Sequence, residues 1–193
     1  MNFLAHAVLS KLDEPLLLGN MVADMISKQQ ELIFPPTIQY GIRQHRFIDS
    51  FTDEHQEVRR SVALLRPNHK KYSPVVMDVL WDLMLAENWD TYIDIPIRSF
   101  ITEVYSMLKA NEAVFPDKLK GKFNFLIEKD FLFMYTNKVG MATILEKIEK
   151  STAFPSNFSN AILDYEEHHS VFEDSFSVFF PELVTALEQE DSF

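Results

Sequence analysis

The chain has 193 residues, 18 basic and 29 acidic side chains, and a net charge of −11. A hydrophobic fraction of 47% with 24% charged residues belongs to a globular chain, and the length suits one domain, residues 1–193. The absence of cysteine excludes disulfide scaffolds, thiolate metal sites and cysteine nucleophiles.

Helical spacing dominates the chain. The first helix is expected over residues 2–11. A second follows Asp13, with Pro15 in its first turn, and runs to about residue 28. Pro35 and Pro36 break the chain, and Thr37 is the expected cap of a helix reaching residue 53. The next covers residues 54–65 and ends before Pro67. Ser73-Pro74 is a start signal, a capping hydroxyl followed by proline at the first helical position. The helix it opens, 74–89, is apolar on most sides and so belongs in the middle of its domain. Further helices are expected over 97–113, 116–127, 138–150 and 160–180, with Pro181 restarting a short last one. The breaks at 109–116 and 152–157 are of inter-helix length. The fold class is therefore all-α, a single-domain helical bundle.

The charge is uneven. No Lys or Arg follows Lys150, whereas residues 151–193 carry nine acids, including Asp191. All 18 bases then stand against 20 acids in the first 150 residues. Within residues 43–71, seven bases face four acids. A local basic surface on an acidic protein is compatible with that distribution.

Four glycines, none clustered, leave no phosphate-binding loop and no dinucleotide fingerprint. There is no G-x-S-x-G elbow. The opening residues lack a basic n-region, and no apolar run approaches the ~18 residues of a membrane span. The expectation is a soluble cytoplasmic protein with no membrane and no nucleic-acid partner.

Four early helices each carry polar residues four apart, hence on one helix face. They are Asn2 and His6, Asn20 and Asp24, His45 and Asp49, and Asp78 and Asp82. The last pair lies in the most apolar helix. A buried carboxylate there must be paired, protonated or metal-bound. Imidazole and carboxylate from several helices suit a hydrolytic metal centre. The competing reading is a structural polar network, with Asp24 on Lys28, Asp49 on Arg46 and His6 as a core histidine. His168, His169 and Asp164 read as a solvated face, and the phenylalanines from Phe172 to Phe180 as core.

Certain blocks resemble a known family. They are Asn2-Phe3-Leu4-Ala5-His6, Gly19-Asn20-Met21-Val22-Ala23-Asp24, Gly41-Ile42-Arg43-Gln44-His45-Arg46-Phe47-Ile48-Asp49, Thr52-Asp53, Glu57-Val58-Arg59, Asp78-Val79-Leu80-Trp81-Asp82 and Phe179-Phe180-Pro181. Together they resemble the acyl-carrier-protein phosphodiesterase family over nearly the whole chain. The resemblance implies an all-α fold related to HD-type metal phosphohydrolases. It implies Mn²⁺-supported hydrolysis of the phosphodiester joining 4′-phosphopantetheine to a serine of acyl carrier protein, giving the apo form.

The family's polar positions fall on His6, Asn20, Asp24, His45, Asp49, Asp78 and Asp82. On this reading Asp24, His45 and Asp78 hold the divalent ion. Asp49 or Asp82 adds a ligand or supports one, and His6 belongs to the catalytic set. Asp82 is the expected general base, and Arg43 or Arg46 holds phosphate. Arg59, Arg60, Arg66, Lys70 and Lys71 form the expected docking surface for holo-acyl carrier protein. The family commonly has Asp-His after the aromatic of the central helix, whereas here Leu83 follows Asp82. The alternatives are a non-catalytic carrier-protein or ligand binder, or a hydrolase of another small phosphodiester. His55, His69 and His168 are the histidines available to replace the missing one.

Overall fold

The computed structural model describes residues 1–153 and 157–190, so residues 154–156 of the expected 152–157 break, and Asp191, lie outside the described residues. The described residues are helical with no strand, as the spacing predicts. They divide into two compact units. The first comprises Met1–Asn2, Asp49–Asn88 and Met134–Phe193; the second comprises Phe3–Ile48 and Trp89–Phe133.

Several helices of the second unit begin at recognisable caps. Helix α1 is Phe3–Leu9 and α2 is Glu14–Val22. Asp13 caps α2 by accepting the Leu16 N–H at 3.1 Å, and Pro15 stands in its first turn, as expected. The helix stops six residues short of the expected end. A 3-10 turn over Ala23–Met25 follows, and Ser27 with Gln30 forms a capping box that starts α3, Lys28–Glu31. Helix α4, Pro36–Glu54, begins on the second proline, so Thr37 lies inside it rather than capping it.

Helices α2 and α4 cross at two glycines. A Cβ on Gly19 would lie 2.4 Å from the Ile38 carbonyl oxygen, and one on Gly41 would lie 2.6 Å from that of Leu16. The two backbones are in direct contact, which only glycine permits.

The first unit is built on α5, Gln56–His69, and α6, Ser73–Glu87. His55 caps α5, its ring accepting the Glu57 N–H at 3.3 Å. Pro67 does not end α5 but lies in its last turn, where little of the hydrogen-bond ladder remains to be lost. The Ser73 hydroxyl donates to the Lys70 carbonyl at 2.8 Å from within α6, so it closes the preceding turn instead of capping the helix. Nearly every side chain from Val76 to Leu85 is buried, as the all-round apolar pattern requires.

The second unit continues with α7, Trp89–Tyr92, and α8, Ile97–Ala110, then α9, Asp117–Glu128, and α10, Phe131–Met134. The first unit resumes with α11, Lys138–Ser151, and α12, Ala161–Glu167. It ends with α13, His169–Glu190.

The expected helix 160–180 is broken at His168, and α13 instead runs through Pro181. Phe172, Phe176, Phe179, Phe180, Leu183 and Leu187 make one buried stripe across that proline. Each such side chain contributes about 1.5–3 kcal/mol on burial, which together outweighs the ~3 kcal/mol cost of an interior proline. Trp81 of α6 packs among Phe172, Phe176 and Phe179 of this stripe.

Candidate active site

In the second unit, polar residues of α1, α2 and α4 meet in a buried network. The α2–α4 crossing at Gly19 and Gly41 brings Asn20 beside Gln44. Asn20 Nδ2 donates to the Leu16 carbonyl at 3.0 Å and to Gln44 Oε1 at 2.7 Å. Asn20 Oδ1 is therefore the acceptor that meets His6 Nδ1 at 3.2 Å. This arrangement assigns the ring proton of His6 to Nδ1 and presents the Nε2 lone pair as its ligating atom. The His6 and His45 rings stack with centroids 3.8 Å apart and planes 17° from parallel.

Asp24 Oδ1 lies 3.1 Å from His45 Nε2, although the Asp24 side chain is 72% exposed. That separation matches the ~3 Å between neighbouring donors on an ion with bonds of about 2.1 Å. One turn beyond His45, α4 carries Asp49 on the same helix face. The two imidazoles, with the Asp24 carboxylate beside His45, form a donor set compatible with a divalent metal.

In the first unit, the carboxylates of α6 meet the start of the chain. The Met1 α-ammonium donates to Asp78 Oδ1 at 2.8 Å, and the Asn2 N–H donates to Asp82 Oδ1 at 3.0 Å. The Tyr135 hydroxyl donates to Asn2 Oδ1 at 3.1 Å. Asp82 is fully buried. Burial raises the Asp78 pKa above the usual carboxylate value; the ammonium opposes that shift and the charges of Asp49 and Asp53 add to it. For the ammonium, burial alone lowers the pKa, but the charge and hydrogen bond of Asp78, with the charges of Asp82 and Asp49, outweigh it, and the net shift is upward. The requirement that acids in an apolar helix be paired is thus met, by a main-chain group that no side-chain pattern announces.

The structure also places the basic residues. Arg46 bonds Glu31 at 2.6 Å, so its guanidinium is already engaged. Arg43 is exposed and lies over the Tyr40 ring, 5.4 Å from its centroid. Arg59, Arg60, Arg66, Lys70 and Lys71 are all exposed on the first unit. Arg59 Nε donates to the Asp53 carbonyl at 3.1 Å, Arg60 approaches Glu57 at 3.4 Å, and Lys71 lies over Tyr72.

Leu83 is only 1% exposed, a packed residue of α6. The three histidines weighed as replacements belong to the first unit. His55 meets Glu182 at 3.0 Å, and His168 closes α12. His69 meets Asp164 at 2.6 Å, with both side chains buried, and Asn68 Nδ2 donates to the other Asp164 oxygen at 2.6 Å. Asp164 is therefore not part of a solvated face, because its helix turns it inward against α5. The phenylalanines from Phe172 to Phe180 are core, as expected.

Sequence reasoning missed Gln44, Tyr135 and Asn68. Gln44 immediately precedes His45, and its buried amide completes the network that fixes His6. A polar residue on the buried face of α4 was its one available signal.

The chain matches the family profile described as acyl carrier protein phosphodiesterase over residues 1–183. It is similar to acyl carrier protein phosphodiesterases of Photorhabdus laumondii, at 29% identity over 100% of this chain and 98% of the relative. It is similar also to that of Pectobacterium atrosepticum, at 31% identity over 95% and 96%. The corresponding protein of Escherichia coli O157:H7 is 28% identical over 95% and 96%. No solved structure matches. With a family match spanning nearly all of its length, the chain belongs to the acyl carrier protein phosphodiesterase family.

Proposed function

We propose that this protein hydrolyses the phosphodiester joining 4′-phosphopantetheine to acyl carrier protein, releasing the apo form, with a divalent ion, Mn²⁺, as cofactor. The observation that carries the reading is the His6–His45 stack with Asp24 at 3.1 Å from His45 Nε2. His6, Asp24 and His45 would hold the ion. When bound, the ion supplies Lewis acidity for the phosphoryl oxygens and lowers the pKa of a coordinated water.

The remaining work falls to the chain. Asn20 and Gln44 hold the His6 tautomer and ring orientation. Asp78, expected as a ligand, is engaged by the Met1 ammonium, and Asp82, expected as general base, by the Asn2 N–H. We assign both to fixing the residues that lead into α1 and thus His6. Of the two expected phosphate holders, Arg46 is committed to Glu31, and Arg43 is exposed on the same helix as His45. Arg60, Lys70 and Lys71 provide exposed positive charge for docking an acidic carrier protein.

A second reading rests on Leu83, where the family commonly has histidine: a homologue that binds carrier protein without cleaving it. Mass spectrometry of holo-acyl carrier protein incubated with the protein and Mn²⁺ decides between them. Loss of the phosphopantetheine mass is the expected result. Retained binding without that loss would establish the second reading.

A further inference from the structure

A cavity of about 420 Å³ opens on the first unit between α5 and α6, within the roughly 300–1,000 Å³ of small-ligand sites. Val58 and Val62 of α5 and Pro74 of α6 give it an apolar lining. Arg59 and Arg66 line it from one face of α5, spaced seven apart about Val62. Arg59 is oriented by its Nε bond to the Asp53 carbonyl, which leaves both Nη groups for a ligand. The Arg66 side chain is exposed and has no hydrogen bond or ion pair among the described residues.

The expected docking cluster therefore divides. Arg60 approaches Glu57 and Lys71 covers Tyr72, and neither lines the cavity, whereas Arg59 and Arg66 do. Two carboxylates also line it, Asp78, whose charge is answered by the Met1 ammonium, and Asp53. Two guanidinium groups suit a phosphoryl head. Carboxylate oxygens suit hydroxyl and amide donors, and the valines and proline suit the alkyl carbons between. A bare anion would use only the first of these features.

We propose that this cavity binds the phosphorylated pantetheine arm. Its phosphate lies on Arg59 and Arg66, its dimethyl carbon on Val58, Val62 and Pro74, and its hydroxyl and amide groups face Asp53 and Asp78. The arm carries a phosphate, a dimethyl carbon, a hydroxyl and amides, the groups that these side chains suit. The proposal rests on the function proposed above. Asp53 follows Asp49 by one turn of α4, about 6 Å along the helix.

The test is calorimetric titration of the full chain, with metal chelated, using 4′-phosphopantetheine, pantetheine and inorganic phosphate. Phosphopantetheine is expected to bind at least about tenfold more tightly than either fragment. Arg66→Gln should weaken it by about tenfold or more, the loss of a charge-assisted contact, and Lys122→Gln, an exposed base that does not line the cavity, by less than about twofold. Thermal melts of Arg66→Gln should match the wild type, because that side chain has no internal partner to lose. Unchanged affinity in Arg66→Gln, or equal binding of pantetheine, overturns the cavity assignment. Turnover of holo-acyl carrier protein with unchanged arm affinity in Arg66→Gln would sink the cavity and leave the function standing. Arg66-dependent binding of the arm without turnover would do the reverse.

Discussion

At the scale of single residues, the i, i+4 rule fixes which side chains share a helix face but not what they meet. His45 and Asp24 come together across elements, and Asp78 meets the Met1 ammonium. The spacing of a helix fixes a face; the partner of that face depends on how helices cross, which short-range pattern does not encode. The two roles separate by experiment. In His45→Ala and Asp24→Asn, bound Mn²⁺ measured by plasma mass spectrometry should fall to a small fraction of wild type. Undiminished content in both would remove the donor assignment. Asp164→Ala strands His69 in the interior without its partner, at a cost of about 3–5 kcal/mol read from urea unfolding. Replacing His69 and Asp164 together by apolar residues should recover much of that loss. A solvated Asp164 would have cost almost nothing.

At the scale of elements, helix starts were more legible than helix ends. Asp13 is a side-chain cap that reads directly from the sequence, because the acceptor and the N–H it satisfies are three residues apart. Pro181 misled because its local cost is real but smaller than the burial that carries α13 past it, and Pro67 because it falls in a last turn with little ladder left to lose. The α2–α4 crossing was invisible in a different way. Glycine in a helical segment reads as a weakness, and only the facing backbone shows that any side chain would collide there. Gly41→Ala should therefore destabilise by about 1–3 kcal/mol, through overpacking, despite the better helix propensity of alanine. The Tm from calorimetry checks it, and a rise in Tm would show that the helices can separate at no cost. Because Asn20 adjoins the contact, the same variant should also loosen the network around His6.

At the scale of the whole molecule, composition located charge but not buried polarity. The all-α class and the acidic C-terminal segment follow from spacing and counts, whereas the depth of each tyrosine follows only from packing. Burial raises the pKa of Tyr135, aided by the charge of Asp82. Burial likewise raises Tyr165, with Glu87 accepting its hydroxyl proton at 2.7 Å, and Tyr105. A phenol whose folded pKa is raised holds its proton more firmly in the fold. Its contribution to stability is complete below the unfolded value of ~10 and is lost as pH rises beyond it. Near-ultraviolet titration should show these three of the six tyrosines ionising only with alkaline unfolding. Their ordinary titration in the folded protein would contradict the burial.

The two tryptophans give the molecule a built-in optical probe. Trp81 lies fully buried in the first unit, in ring contact with Phe176 and Phe179, and its indole N–H has no hydrogen-bond partner among the described residues. Trp89 lies in the second unit, with its indole N–H donating to the Ile95 carbonyl at 2.7 Å. Emission from an indole with no polar contact is short in wavelength, and a hydrogen-bonded one emits to its red. Trp89→Phe and Trp81→Phe would thus leave two spectrally distinct reporters, one for each unit. Substitution at 81 sacrifices no hydrogen bond, so the variant that isolates Trp89 is the gentler of the two. Stopped-flow fluorescence on the pair would then time the loss of each unit's core separately.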